Sequence, residues 1–263
     1  MMGGPMQLHV SNLCAGYRGR MVLHDFTITP LEAGKVTVLV GPNAAGKSTL
    51  LRSLAGLVPA TGSLRLGGID LMGLRLAERA NHVAFMPQDL PQGAELTVLE
   101  SVISALKASP LDGFGGGAQE SRLRALAALD RLGILDLASD GIGRLSGGQR
   151  QLASLAQAVV RAPRLLTLDE PTSALDLRHQ YQVMHTVKAL AGEGRIVVAV
   201  LHDLTLAAKW ADHVIVLDQG RLAAEGPPAE AFTPEILRRV YGVATRVERC
   251  SRGGLHIAVD GLA

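Results

Sequence analysis

Residues 41 to 49 read Gly-Pro-Asn-Ala-Ala-Gly-Lys-Ser-Thr, which is the phosphate-loop pattern of Gly, four residues, Gly, Lys and then Ser or Thr. The β-branched apolar run Val36–Val40 leads into this stretch and predicts a strand. A strand, a tight loop and a helix N-terminus in this order allow backbone N–H groups to curl around a polyphosphate, and the helix dipole adds positive charge. The predicted helix has four leucines with the spacing of a helix that buries one face: Leu50, Leu51, Leu54 and Leu57.

The loop residues suggest a nucleotide site. Lys47 would reach the β- and γ-phosphates, and Ser48 would offer its hydroxyl to Mg²⁺. A glycine-rich turn that happens to contain Lys is the alternative in a chain with 30 glycines, but the strand and helix flanks count against it. The predicted ATP-binding residues are Gly41, Pro42, Asn43, Ala44, Ala45, Gly46, Lys47, Ser48 and Thr49.

Composition limits the classes of protein. The chain has 263 residues, 48% of them hydrophobic but only 3% aromatic, so a large core must be mostly aliphatic. A formal net charge of +2 and the lack of a basic run argue against a nucleic-acid partner. Cys14 and Cys250 form no metal or redox pattern. No signal peptide and no apolar stretch of about 20 residues is apparent, so we expect a cytosolic location.

Patterning along the chain predicts an α/β fold. Residues 6–35 alternate apolar and polar positions, as antiparallel strands do, and Gly67-Gly68 predicts another hairpin. Residues 97–160 have helical spacing, and residues 112–117 predict a flexible connector. Strands at 165–168, 196–201 and 214–217, separated by helices, predict a parallel sheet. One apolar helix face is predicted from Leu123, Leu126, Leu129 and Leu132.

Two further motifs carry chemistry. Asp169 and Glu170 end a buried strand, where Asp169 would hold Mg²⁺ and Glu170 would polarise the attacking water. An ordinary acidic strand end is the alternative. Leu145-Ser-Gly-Gly-Gln149 predicts a second phosphate-binding turn, because Ser146 can cap the following helix and the glycines expose N–H groups. Two phosphate-binding turns in one chain are explained if two copies pair head to tail, so that the second turn of one copy binds the nucleotide held by the other.

Taken together, these motifs resemble the ATPase subunits of ATP-binding-cassette (ABC) transporters over nearly the whole chain. The resemblance implies a P-loop NTPase (RecA-like) α/β core at 6–87 and 162–226. It also implies an antiparallel β subdomain and an inserted α-helical lobe at about 88–161. Residues 227–263 would form a C-terminal helix and small hairpin outside the 6–226 ATPase domain.

The same resemblance implies roles for single residues. Tyr17 would stack on adenine, Gln88 would contact Mg²⁺ and relay motion to membrane subunits, and His202 would contact the γ-phosphate. Glu170, His202 and Lys47 are the expected catalytic residues, and Ser48, Gln88 and Asp169 the metal ligands. A second copy would supply residues in trans through ATP-dependent head-to-tail dimerisation: Ser146, Gly147, Gly148, Gln149 and Asp176.

The family usually has glycine where this chain has Ala44. We expect Ala44 at negative φ, because its Cβ disfavours positive φ. If positive φ were required, nucleotide affinity would suffer by about 1 kcal/mol or more.

The resemblance also suggests the task. A single cassette without a membrane segment fits a separate importer subunit at the cytoplasmic face of the inner membrane. It would be held there by permease subunits and serve a periplasmic binding protein indirectly. Residues 173–180, 202–207, 95–98 and 237–243 look like iron–siderophore, haem and cobalamin importers; iron–siderophore is our first expectation, with haem or cobalamin as alternatives. A nucleotide-gated regulator and a non-transport cassette protein remain as rivals.

Overall fold

The computed structural model describes residues 6–88, 96–108, 117–173, 175–251 and 253–263. Predictions for Glu95 and for residues 112–116 therefore lie outside the described residues, as does Ala174 within the stretch 173–180. The strands are Gln7–Tyr17 (β1), Arg20–Glu32 (β2), Val36–Val40 (β3), Ala60–Leu66 (β4), Ile69–Asp70 (β5), Val83–Met86 (β6), Leu165–Leu168 (β7), Ile196–Val200 (β8), His213–Asp218 (β9), Arg221–Gly226 (β10), Val243–Arg249 (β11) and Leu255–Leu262 (β12).

Helices connect the strands and form a separate group between β6 and β7. Two short 3-10 turns, Leu135–Leu137 and Ile142–Arg144, lie in the same group. The helices are Lys47–Leu54 (α1), Leu76–Arg79 (α2), Val98–Lys107 (α3), Ala118–Arg131 (α4), Gly147–Val159 (α5), Leu177–Gly192 (α6), Leu204–Trp210 (α7), Pro228–Ala231 (α8) and Pro234–Tyr241 (α9).

Three sheets organise the described residues. The central sheet has the order β10-β9-β3-β8-β7-β6. Its strands run parallel except β10, which pairs antiparallel with β9. An antiparallel sheet of order β2-β1-β4-β5 lies beside it, and β11 and β12 form a hairpin near the C-terminus. The predicted parallel strands and the hairpin at Gly67-Gly68 are confirmed.

The central strands are buried on both faces. Val36, Val38 and Val40 point into a core shared with the helices, whereas Leu39 belongs to the core shared with the antiparallel sheet. β8 divides its side chains between the same two cores. This arrangement explains why these strands read as continuous apolar runs. It also fixes the carboxyl ends of β3 and β7 at one edge of the sheet, where the phosphate loop and the Asp169–Glu170 pair begin.

The predicted apolar face of α4 is partly wrong. Leu129 and Leu132 are buried, but Leu123 is 57% exposed. Residues spaced by three drift around a helix that needs 3.6 residues per turn, so four such leucines cannot share one face. Ala125 and Ala128 take the place of Leu123 in the core.

α1 is shorter than its leucines suggest. It ends at Leu54, and Gly56 follows at φ 79°, which turns the chain away. Leu57 is therefore 50% exposed, contrary to the prediction, while Leu50, Leu51 and Leu54 are buried.

None of the helices within the described ranges is long and apolar enough to cross a bilayer.

Candidate active site

The loop between β3 and α1 depends on two glycines. Gly41 has φ 151°, and a Cβ there would lie 2.1 Å from the carbonyl oxygen of Leu217. Gly46 has φ 106° and forms the N-cap of α1. A side chain at either position would be strained or would clash, so the pattern of glycines follows from the backbone path.

Ala44 contradicts the expectation of negative φ, since it has φ 62°. This is the left-handed region, where a Cβ costs about 1–2 kcal/mol. The surrounding loop imposes the conformation that glycine would adopt freely. The substitution from the usual glycine is therefore not free of strain.

The N-terminus of α1 is left open for an anion. Gly46 offers no side-chain cap, and the first turn contains no acidic residue. The first N–H groups of a helix have no intrahelical partner, so here they carry partial positive charge toward the loop. An anion such as a phosphate fits this end of the helix.

Lys47 lies inside the curl of the loop. Its Nζ donates hydrogen bonds to the carbonyl oxygens of Gly41 at 2.7 Å and Pro42 at 2.8 Å. An ammonium group has three donors, so one remains for a ligand. Burial lowers the pKa of Lys47, and the nearby charges of Glu170 and Asp169 oppose this shift.

Ser48 and Asp169 form the candidate metal site. Ser48 Oγ donates to Asp169 Oδ1 at 3.0 Å, and Asp169 is 1% exposed. Burial is the main cause that raises the pKa of Asp169, against the lowering effect of the Ser48 hydrogen bond. Mg²⁺ prefers oxygen ligands and usually binds through one or two protein groups plus substrate phosphates, so this pair fits it. Among the described residues no group of three or more His, Cys, Asp and Glu side chains could hold a metal without such help.

Glu170 is held between two side chains from different parts of the chain. Its Oε1 lies 2.5 Å from Nε2 of His202, and its Oε2 accepts a hydrogen bond from Nε2 of Gln88 at 2.9 Å. His202 comes from the segment between β8 and α7, and Gln88 follows β6. Three motifs that are far apart in sequence therefore meet at one carboxylate. The carboxylate is close enough to the loop to line the same cleft.

An open cleft of about 310 Å³ joins these groups. Tyr17 lines it and is 48% exposed. Its hydroxyl accepts a long hydrogen bond of 3.4 Å from Nη1 of Arg52. The cleft is lined by Tyr17, Arg20, Val22, Asn43, Ala44, Ala45, Gly46, Lys47, Ser48, Thr49, Glu170 and His202.

The second glycine turn lies outside the lining of this cleft. Ser146 is the N-cap of α5: its hydroxyl accepts from the N–H of Gln149 at 3.3 Å, and Gln149 Oε1 accepts from the N–H of Ser146 at 2.9 Å. Leu145 is buried beneath the turn, whereas Ser146 and Gly147 are exposed. None of these residues lines the cleft of the phosphate loop. The turn is thus presented at the surface.

Asp176 is also exposed at the start of a helix. It caps α6 by accepting a hydrogen bond from the N–H of His179 at 2.8 Å. This backbone hydrogen bond is the main reason that the pKa of Asp176 is lowered.

Two contacts of the site lack a local sequence signal. Gln151, on α5, donates from Nε2 to the carbonyl oxygen of Glu170 at 2.6 Å. Burial raises the pKa of Tyr241, on α9, to about 12, and a hydrogen bond from the N–H of Gly41 to this side chain opposes the shift. Arg20 in the cleft wall was likewise not predicted. Of these residues, only Gln151 has a hint in the sequence, because it lies two residues after the second glycine turn.

A family comparison and curated relatives agree with this geometry. The ABC transporter family model matches residues 23–173. The hemin import ATP-binding protein HmuV of Rhodopseudomonas palustris is 37% identical over 246 residues, which cover 89% of this chain and 90% of that protein. The hemin import ATP-binding protein HmuV of Bordetella bronchiseptica is 39% identical over 252 residues, covering 92% and 94%.

Solved structures agree as well. An inward-facing metal-chelate type ABC transporter superposes with a TM-score of 0.80 at 26% identity, covering 97% of this chain and 98% of that one. A dimeric post-hydrolysis ATP-binding cassette bound to ADP and Pi gives a TM-score of 0.74 at 26% identity, covering 85% and 98%. The predicted fold class is confirmed by these likenesses.

Proposed function

We propose that this chain, which belongs to the ABC transporter family, couples ATP hydrolysis to the import of haem or a related iron chelate through membrane permease subunits. The chain is an ATPase subunit of that family. The relatives' names favour haem, which stood as an alternative in the sequence interpretation, over the siderophore that stood first. The cargo would be chosen by the permease and an external binding protein, and this chain would not touch it.

The observation that carries the proposal is the division of the site. The phosphate loop, Ser48, Asp169 and Glu170 form one half, while the second glycine turn at Ser146 faces outward. An outward-facing anion grip on a chain with its own phosphate loop suits a head-to-tail pair. In that pair Ser146, Gly147, Gly148, Gln149 and Asp176 of each copy would complete the other's site.

The proposed reaction is in-line attack of water on the γ-phosphorus. The water oxygen bonds to phosphorus, its proton passes to the carboxylate of Glu170, and the bond to the β–γ bridging oxygen breaks, leaving ADP. The remaining donor of Lys47 and the open N–H groups of α1 stabilise the charge on the transferring group. Mg²⁺, held by Ser48 and Asp169 with Gln88 nearby, would neutralise charge on the phosphate oxygens. His202 fixes the carboxylate through the 2.5 Å contact, and it would contact the γ-phosphate.

The first experiment measures ATP turnover and dimerisation of the purified chain. Glu170→Gln keeps the shape and the contact with Gln88 but loses the base, so we expect turnover to fall about 100-fold or more. ATP binding should persist and trap a dimer on size-exclusion chromatography. Glu193→Gln, in a surface ion pair with Arg131, is the control and should turn over normally.

Unchanged turnover in the Glu170→Gln chain would overturn the assignment of the base. If the unaltered chain bound ATP but did not hydrolyse it, the chain would be a nucleotide-gated regulator and not the ATPase of an importer.

The second experiment identifies the membrane partner and the cargo. The tagged chain is purified from membranes of its source with the proteins that bind it, and the complex is reconstituted in vesicles. We expect a multi-span partner and ATP-dependent uptake of haem that the Glu170→Gln chain abolishes. Uptake of a ferric siderophore but not of haem would identify the siderophore as the cargo, as first expected from the sequence. Lack of any membrane partner would refute the importer role.

A further inference from the structure

The backbone of Glu170 is held in an unfavourable conformation. It has φ 53°, in the left-handed region that side-chain-bearing residues avoid. Pro171 follows, and a residue before proline is biased toward extended conformations. Two local factors therefore oppose the geometry of this residue. Such strained residues persist only where neighbouring groups hold them.

The carbonyl oxygen of Glu170 is where neighbours act. It accepts a hydrogen bond from Nε2 of Gln151 at 2.6 Å and a longer one of 3.3 Å from the N–H of Ser173. Gln151 is 6% exposed, so its amide is not free to find other partners in water. A buried hydrogen bond of this kind fixes the orientation of the peptide that it meets.

Gln151 also belongs to the helix that starts at the second glycine turn. It lies on α5, five residues after Ser146, and α5 is one continuous helix from Gly147 onward. A displacement of that helix therefore reaches the Glu170 backbone through one short hydrogen bond. The Glu170 side chain is meanwhile held by His202 and Gln88.

We propose that Gln151 is a positioning residue, which holds the Glu170 peptide so that its carboxylate faces the attacking water and which ties this orientation to the helix bearing Ser146. The inference rests on the proposed role of Glu170 as the base. Gln151 makes no contact with the nucleotide in this scheme. Its loss acts on the chemical step and leaves ATP binding to the loop residues.

The test is Gln151→Met, which keeps the side-chain length and removes the donor. We expect kcat to fall about tenfold or more while the Kd for ATP changes less than about threefold, because only transition-state geometry is affected. Gln182→Met is the matched control: Gln182 also donates from Nε2 to a backbone carbonyl, that of Leu132 at 2.7 Å, but neither residue lines the cleft. Both variants are checked for Tm.

The outcomes separate this inference from the proposed function. If Glu170→Gln keeps its turnover, the base is wrongly assigned and both fall. If Glu170→Gln is inactive but Gln151→Met keeps kcat within about twofold of the unaltered chain, only the role of Gln151 falls. An equal loss of kcat in Gln182→Met, or a parallel loss of ATP affinity in Gln151→Met, would reduce Gln151 to a structural residue. A Gln151→Met chain too unstable to purify is replaced by Gln151→Asn, whose shorter side chain also loses the contact, and the same criteria apply.

Discussion

Each of the two glycine turns of the chain begins a helix, but the two helix N-termini are capped differently. At α1 the N-cap is Gly46, which has no side chain, and the first-turn N–H groups are left for a ligand inside a cleft. At α5 the N-cap is Ser146, whose side chain and that of Gln149 satisfy two donors at an exposed surface. The first turn is built into a site with a lysine, a candidate metal-binding pair and a carboxylate. The second is capped by its own side chains and has no such partners among the residues described, as a contribution to another molecule would require.

Blocking the second turn alone has the largest expected effect and tests whether the two turns serve sites on different copies of the chain. Ser146→Arg places a bulky side chain on the surface that would meet the partner's nucleotide. We expect turnover to fall about 100-fold or more with the Kd for ATP of the isolated chain changed less than about threefold, since each missing oxyanion-type donor costs 10²–10³. Lys47→Ala, in the first turn, should lose both turnover and binding. Equal effects of the two changes on ATP binding would place both turns in one site on one chain.

A smaller effect concerns the strain in the first turn. Ala44→Gly should raise the free energy of unfolding by about 0.5–1 kcal/mol, because relief of left-handed strain exceeds the entropic cost of glycine. The folded loop already holds this conformation without a nucleotide. The strain therefore lowers the free energy of unfolding, and the Kd for ATP should change little. This refines the expectation drawn from sequence, which assigned the cost to nucleotide affinity.

Two alanines serve as controls in chemical denaturation. Ala162 also lies in the left-handed region, at φ 52°, so Ala162→Gly should be stabilising by a similar amount. Ala127 is exposed in the interior of α4, where glycine should be destabilising by about 1 kcal/mol. If Ala44→Gly destabilises like Ala127→Gly, the backbone at Ala44 is not strained.

The smallest effect is the pH dependence that buried Asp169 confers on the first turn. An acid whose pKa is raised by folding binds more protons in the folded than in the unfolded chain, so stability falls as pH rises from the ordinary value of 3.8 through the raised folded value. Asp169→Asn removes this cost, and its amide oxygen can still accept from Ser48. We expect a higher Tm than that of the unaltered chain at pH 7, and a difference that vanishes toward acid pH. A difference in Tm that stays constant at all pH values would contradict the prediction.

Local patterns predicted one half of the site better than the contacts within it. The strand, loop and helix around Lys47 follow from period and glycine placement, because each is set by neighbours in sequence. The conformation of Ala44 did not, since its Cβ argues for negative φ and only the assembled loop overrides it. Gln151 and Tyr241 were missed because each reaches the site from a distant element; the residues beside Tyr241 do not mark its contact, and the glycine turn before Gln151 does not indicate which carbonyl its side chain meets. The predicted burial of Leu57 and Leu123 was wrong, because apolar spacing does not indicate where a helix ends or which of its faces meets the core.

The place of β3 at the centre of the sheet has a consequence for biosynthesis. Both of its neighbours, β8 and β9, come more than 150 residues later in the chain, after the whole helical group. At about 5–20 residues per second, the ribosome delivers them on the order of ten seconds or more after β3 emerges. During that interval a strand destined to be buried on both faces has neither hydrogen-bonding partner, and its apolar surface is open to chaperones or to other nascent chains. Yield and aggregation during expression should therefore depend on translation speed between β3 and β9 more than on changes after β9.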